Sequence, residues 1–382
     1  WYNPDLYGVQ SVDGKLKMGD YDFYGMGVNY YNLLMYPIKN YFSTDTVFYG
    51  LEVLAQNNIP FVRFSACPYY YYDMHLYFDN KELYLATLRA IADKAEQLNI
   101  GLIPSFFWRY TCIPDYYDEP LRQWGDSGSK TRGFMREFTK NVVSALKDSK
   151  AIWGWEYGNE HNLAVDLPNA AELVTKLPNN SKRTSRTEED YLKSSDIHDS
   201  YKEFASIVRQ YDDKNRFIMS GNGGLRPSQY NQHITFGTSW KQDAQNEHKT
   251  INAYLNPEGI DTICEHLYFL NKKFFNITDY SLENYVQLSL DHAAELKKPF
   301  IIGEFGYSGY EQEEQNLSAI RQAGEMFVEK GVQLAMLWNY APVGTNVEHS
   351  FNESTEAGRN RLKIIEDCNA LYADLFEAQK GT

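Results

Sequence analysis

Ile301-Ile302-Gly303-Glu304-Phe305-Gly306 is an apolar run that ends in a carboxylate flanked by glycines. Without polar alternation, such a run has the pattern of a strand buried on both faces, as in a parallel sheet covered by helices. Gly154-Trp155-Glu156-Tyr157-Gly158-Asn159-Glu160 ends in the same way, on Asn-Glu just before a long loop. An ionisable glutamate at a buried strand end is costly unless it is paired or used.

Outward from these two stretches, short β-branched or aromatic runs alternate with longer amphipathic ones. The pattern predicts strands at 23–30, 59–64, 100–106, 151–157, 216–220, 259–266, 299–304 and 332–338. Helices are predicted at 45–57, 81–98, 131–147, 191–211, 282–296, 311–330 and 353–376, with a weakly marked one at 244–255. Ser43-Thr44-Asp45 reads as an N-cap cluster. Eight such units are the count of a (β/α)8 barrel, here one domain spanning residues 1–382. Glu160 and Glu304 then end strands four and seven, which face each other across the barrel mouth. Two irregular loops, 162–190 and 221–259, follow strands four and five on the face that carries active sites in this architecture. The polar part of the first reads equally well as a plain solvated loop.

Composition narrows the function. The 382 residues carry 37 Lys+Arg against 51 Asp+Glu, a net charge of −14, so a nucleic-acid backbone or an anionic membrane is an unsuitable partner. With 43% hydrophobic residues the chain can bury a sizeable core, which excludes disorder as its dominant state. No apolar stretch is long enough to span a bilayer. The unusual count is aromatic: 31 Tyr, 21 Phe and 7 Trp exceed what a core requires and suit a sugar-binding cleft. Cys67, Cys112, Cys264 and Cys368 lack C-x-x-C spacing and read as buried free thiols, with Cys67–Cys112 the one pairing worth considering. No H-E-x-x-H, phosphate-binding loop, dinucleotide fingerprint or G-x-S-x-G elbow is present, so metalloprotease, nucleotide and serine-hydrolase chemistry lose their support. No metal or organic cofactor is expected.

Two carboxylates on opposite sides of a cleft are what glycosidic cleavage uses, one as acid and one as nucleophile or base. With these residues in place the chain resembles glycoside hydrolase family 5, the cellulase- and mannanase-like barrel enzymes, over essentially its whole length. Asn159-Glu160 resembles the family's strand-four Asn-Glu, which implies Glu160 as acid/base; Glu304 resembles the strand-seven nucleophile. Arg63 matches the strand-two arginine, His266 and Tyr268 the strand-six His-x-Tyr, and Trp338 the strand-eight tryptophan. The resemblance implies a retaining β-glycoside hydrolase acting on a β-mannan- or β-glucan-type chain by double displacement.

The expected roles follow from charge. Arg63 and the Tyr268 hydroxyl favour the charged Glu304, and Glu160 must hold a proton, through desolvation or through Glu304 opposite. Asn159 is expected at the sugar 2-hydroxyl, His266 at a ring hydroxyl or at Glu160, and Trp338 beneath the sugar at the cleavage point. Strand three departs from the family: Phe106-Phe107-Trp108 stands where many members place a polar residue, leaving sugar contacts to a neighbour such as Asn29 or Asn32. Tyr69-Tyr70-Tyr71-Tyr72, Trp108, Tyr110, Trp124, Trp240 and Tyr307 are candidate stacking walls.

Endo-cleavage, exo-cleavage by a pocket-shaped β-glycosidase, and a non-catalytic glycan-binding barrel remain as alternatives. A carbohydrate partner, a monomer, and an extracellular or periplasmic location complete the expectation, the last from the substrate class and the Trp1 start.

Overall fold

The computed structural model describes residues 3, 5–268, 271–306, 313–345 and 347–380. Eight parallel strands form the barrel: Gly25–Asn29, Phe61–Ser65, Gly101–Phe107, Gly154–Gly158, Phe217–Met219, Ile263–Leu267, Phe300–Phe305 and Leu334–Leu337. Every residue of these strands is buried, which is why they read as continuous apolar runs. The ladder runs through barrel strands five, four, three, two, one, eight, seven and six. Strands five and six have no ladder of their own; Asp261 joins them. Its N–H donates to the Ile218 carbonyl at 2.8 Å, and its Oδ2 accepts from the Ile218 N–H at 2.7 Å.

Each predicted strand is present. The predicted helices are observed at Asp45–Gln56, Lys81–Gln97, Lys130–Leu146, Ser194–Tyr211, Gln245–Leu255, Leu282–Glu295, Glu313–Lys330 and Glu356–Lys380. The first starts at Asp45 as read, but without a side-chain cap bond. Ser129 and Ser281 do cap, accepting from the backbone N–H groups of Arg132 and Asn284. The start of the predicted 311–330 helix lies outside the described residues.

Inward-facing side chains change character along the strands. At the N-terminal end Phe61, Ile103, Phe217, Cys264, Ile301 and Leu334 fill the barrel. Two residues further on the same face, Phe61 gives way to Arg63, Ile103 to Ser105 and Cys264 to His266. A register shift between Ile302 and Glu304 breaks the alternation on strand seven, so that Glu304 pairs with His266 and turns inward with it. A three-stranded antiparallel sheet not anticipated from sequence, Gln10–Val12, Lys15–Met18 and Tyr21–Asp22, closes the N-terminal end, packing Leu16 and Met18 into the same cluster.

Glu265, one residue before His266, points outward. Burial pushes its carboxyl up to about 7. Tyr285 donates to it at 2.6 Å and Asn252 at 2.9 Å. These bonds tie the helices Leu282–Glu295 and Gln245–Leu255 to strand six and so hold His266 in place.

Two readings left open by the sequence are decided. The polar stretch 179–190 is mostly exposed and lines neither cavity, but it is pinned: Arg186 grips Asp115 at 2.7 and 3.0 Å, and Asp190 is bonded by both Arg183 and Arg186. Such pairs couple residues far apart in sequence and leave no local pattern. All four cysteines are free and buried, as read, and the alternative Cys67–Cys112 pair is absent. Among the described residues no helix is long and apolar enough to cross a membrane.

Candidate active site

Arg63 organises the C-terminal end of the barrel. Fully buried, its guanidinium donates to Glu156 through Nε (2.8 and 2.9 Å), to Asn29 (2.8 Å) and Glu304 (2.7 Å) through Nη1, and to Asn159 (2.7 Å) through Nη2. Trp108 covers this cation, with the guanidinium carbon 4.3 Å from the ring centre. The bulky aromatic on strand three thus seals the electrostatic centre that a polar side chain would leave exposed. Strands one, four and seven supply Asn29, Glu156 and Glu304, and Asn159 directly follows strand four.

Glu304 is buried, and the Tyr268 hydroxyl donates to its Oε2 at 2.5 Å. Burial, then the adjacent Glu304, hold that phenol far above its ordinary value, so it keeps its proton and remains a donor. Across the mouth, Glu160 takes the left-handed backbone conformation (φ 55°) and donates its N–H to the Gly221 carbonyl at 2.8 Å. A non-glycine residue in that region stores strain that neighbouring contacts must hold in place. Desolvation raises the Glu160 carboxyl, with Arg63 opposing.

His266 stands between the two carboxylates, Nδ1 2.9 Å from Glu160 Oε1 and 3.5 Å from Glu304 Oε1. Burial depresses the imidazole to about 4 against the pull of Glu304, so the ring is neutral near pH 7. A neutral ring serves either state of Glu160, donating Nδ1–H to the carboxylate or accepting from the carboxyl at the same nitrogen. Glu160, His266 and Glu304 each place a ligand atom within 4.8 Å of the others, a spacing that could hold a metal ion. Arg63 already supplies a fixed positive charge at Glu304, which works against a second cation there.

Two cavities meet at Glu160, sharing Tyr69, Trp108 and Asn159. The larger, about 770 Å³, contains Glu304, Trp338, Asn32 and the helix face bearing Tyr36 and Lys39. The smaller, about 340 Å³, touches Glu160 but not Glu304, and is walled by Leu163, Leu167 and Leu173 from the long loop after strand four. Trp338 and Trp108 lie 6.0 Å apart at the junction, with Tyr31 beside both.

The structure therefore brings together Arg63, Asn159, Glu160, His266, Tyr268, Glu304, Trp108, Trp338 and Asn32. Of the candidate aromatic walls, Tyr69, Tyr70, Trp108 and Tyr110 line the cavities. Trp124 does not: it is fully buried and donates its indole N–H to the Tyr110 carbonyl at 2.7 Å. Trp240, 60% exposed, lines neither cavity, because its loop turns it to the surface. Tyr307 lies outside the described residues. Asn29 serves Arg63 and, through Nδ2, the Gly303 carbonyl at 3.1 Å. Glu156, unassigned from sequence, is the second carboxylate on Arg63. The clue was an acidic residue inside an otherwise apolar strand.

Replacing Arg63 by methionine leaves Glu156 and Glu304 without their shared cation. The expected loss is about 3–5 kcal/mol of unfolding free energy, read by denaturant titration. Arg63→Lys, which keeps a charge but not the fork, should fall between the two.

No protein-family model and no curated protein sequence matches the chain. Solved structures do. A glycoside hydrolase family 5 mannosidase from Rhizomucor miehei superposes with a TM-score of 0.64 at 12% identity, covering 98% of this chain and 99% of its own. An endo-β-1,4-mannanase from Thermotoga petrophila aligns at 0.60 and 15% identity over 92% and 77%. An exo-β-1,4-mannosidase from Opitutaceae bacterium strain TAV5 aligns at 0.63 and 14% over 96% and 63%. At such identities the likeness establishes architecture, and this chain has the single-domain (β/α)8 barrel fold of those glycoside hydrolases.

Proposed function

We propose that the protein is a retaining β-glycoside hydrolase of the family 5 kind, acting on a β-mannan-type glycan. The observation that carries this reading is the pair Glu160 and Glu304, with carboxylate oxygens within 4.8 Å across the barrel mouth. That separation suits direct attack; inverting enzymes hold their carboxyl groups about 6.5–9.5 Å apart to admit a water. The mannosidase and mannanase neighbours support the substrate class.

In this mechanism Glu304 attacks the anomeric carbon while Arg63 and the Tyr268 hydroxyl hold its carboxylate in line. Glu160 gives its proton to the departing oxygen, and the glycosyl–Glu304 ester forms as the C–O bond breaks. Glu160, now a carboxylate, takes a proton from the water that cleaves the ester, with His266 bonded to it in both states. Asn159, held by Arg63, is the donor for the sugar 2-hydroxyl. Trp338 supports the ring undergoing substitution.

The two cavities take different sides of the scissile bond. The nucleophile meets the glycone, so the cavity containing Glu304 is the glycone side; the one touching only Glu160 receives the leaving group. Space continues on both sides, and the glycone side runs along Met35–Lys39, about 7 Å of helix. This favours cutting within a chain over a one-sugar pocket.

A hydrolysis screen on β-mannan, β-glucan and xylan, with early products read by NMR and by length, tests the reading. Mannan should give a ladder of oligosaccharides with β-anomers first. Early α-anomers would overturn retention, and monosaccharide as the sole early product would overturn internal cleavage.

A further inference from the structure

The smaller cavity holds a cation that makes no salt bridge among the described residues. Arg109 follows strand three and is half-buried; its Nε donates to Thr111 Oγ1 at 2.9 Å. Its guanidinium carbon lies 5.0 Å from the Tyr69 ring centre and 5.2 Å from that of Tyr70, which holds the side chain at the cavity wall. Among the described residues its two terminal nitrogens make no hydrogen bond. The neighbouring carboxylates are engaged elsewhere: Asp115 by Arg186 at 2.7 Å, and Asp73 by Lys39 at 2.5 Å. Leu163, Leu167 and Leu173 line the same cavity and give it an aliphatic wall, while Glu160 and Asn159 stand where it meets the larger one.

We propose that this cavity takes a leaving-group residue that carries an anionic substituent, with its ring against the leucines and its anion on Arg109. The inference rests on reading the cleft as that of a glycosidase, and it gives that cleft a preference for leaving groups that carry an anion over neutral ones. A guanidinium held beside aromatic rings with two nitrogens free is suited to forked recognition of a carboxylate or similar anion. In a chain of net charge −14 the global field does not attract such a ligand. Selection must therefore be local, exerted at contact range by this one side chain.

The test separates binding from turnover. The 4-carboxyphenyl and 4-carbamoylphenyl 1-thio-β-mannosides are isosteric, differ in charge, and resist cleavage through their sulfur link. By calorimetry at pH 7 and low salt, the protein should bind the carboxylate about tenfold more tightly. Arg109→Gln should bring the ratio to about one, and Arg109→Lys should keep part of it. Lys214→Met, which removes a surface charge that lines neither cavity, should keep the full ratio. Equal affinities in the parent protein, a ratio that survives in Arg109→Gln, or binding of neither ligand would overturn the proposal. Hydrolysis of the oxygen-linked counterparts is scored separately. Intact carboxylate preference without turnover would support the proposal and sink the hydrolase reading alone.

Discussion

Glu304→Gln is expected to lower kcat by at least about 10⁴-fold on every substrate the parent protein cleaves, measured by initial rates at saturating substrate. The amide has nearly the shape of the carboxylate but no anionic oxygen to form the glycosyl ester, so the covalent route closes. The fold should survive the change. Arg63 keeps Glu156, Asn29 and Asn159 as partners, and the amide at 304 can accept from Arg63 through its oxygen and donate its NH2 to the Tyr268 hydroxyl oxygen. An unchanged unfolding midpoint therefore accompanies the lost rate, which separates a chemical role from a structural one. A 2-deoxy-2-fluoro mannoside with an activated leaving group should label the parent protein once, at Glu304. Labelling elsewhere, or less than tenfold loss in Glu304→Gln, would reject it as nucleophile.

The eight barrel strands were legible because parallel strands under helices are buried on both faces, and burial on both faces writes itself as apolar runs such as Ile301–Ile302 and Phe61–Val62. The ends of those strands were legible for the opposite reason: Arg63, Glu160, His266 and Glu304 are polar residues placed where burial makes them expensive. What escaped was whatever depends on partners distant in sequence. The clamp of Arg186 on Asp115 joins the loop after strand four to the short helix Cys112–Tyr117 after strand three, and neither residue is unusual where it stands. The inward turn of Glu304 depends on a register shift against strand six, invisible in Ile-Gly-Glu-Phe itself. The N-terminal sheet has strands of two to four residues, too short for a period of two to declare itself. Trp240 and Trp338 are equally aromatic by composition, yet one faces outward and the other lines the cleft. The aromatic surplus pointed to sugars without saying which rings would meet them.

Glu160→Ala separates the two carboxylates by a different signature. As the proposed acid, Glu160 matters in proportion to how poor the leaving group is. On mannan or a mannooligosaccharide, whose alcohol departs only with a proton, kcat should fall by about 10²–10⁴-fold. On 2,4-dinitrophenyl β-mannoside, which departs unassisted, glycosyl transfer to Glu304 should slow little. The second step, deprived of its base, then limits turnover, so a burst of dinitrophenol should precede a slow steady state that azide accelerates. The pH dependence follows from burial. Desolvation raises the Glu160 carboxyl, so its protonated fraction persists to higher pH than for an exposed glutamate. On sugar substrates kcat/KM should decline as pH rises through that raised value, and for dinitrophenyl release in Glu160→Ala the same alkaline limb should vanish. His266, already neutral near pH 7, cannot supply that limb, because burial places its titration near 4. An alkaline limb that persists in Glu160→Ala would assign the acid to another group.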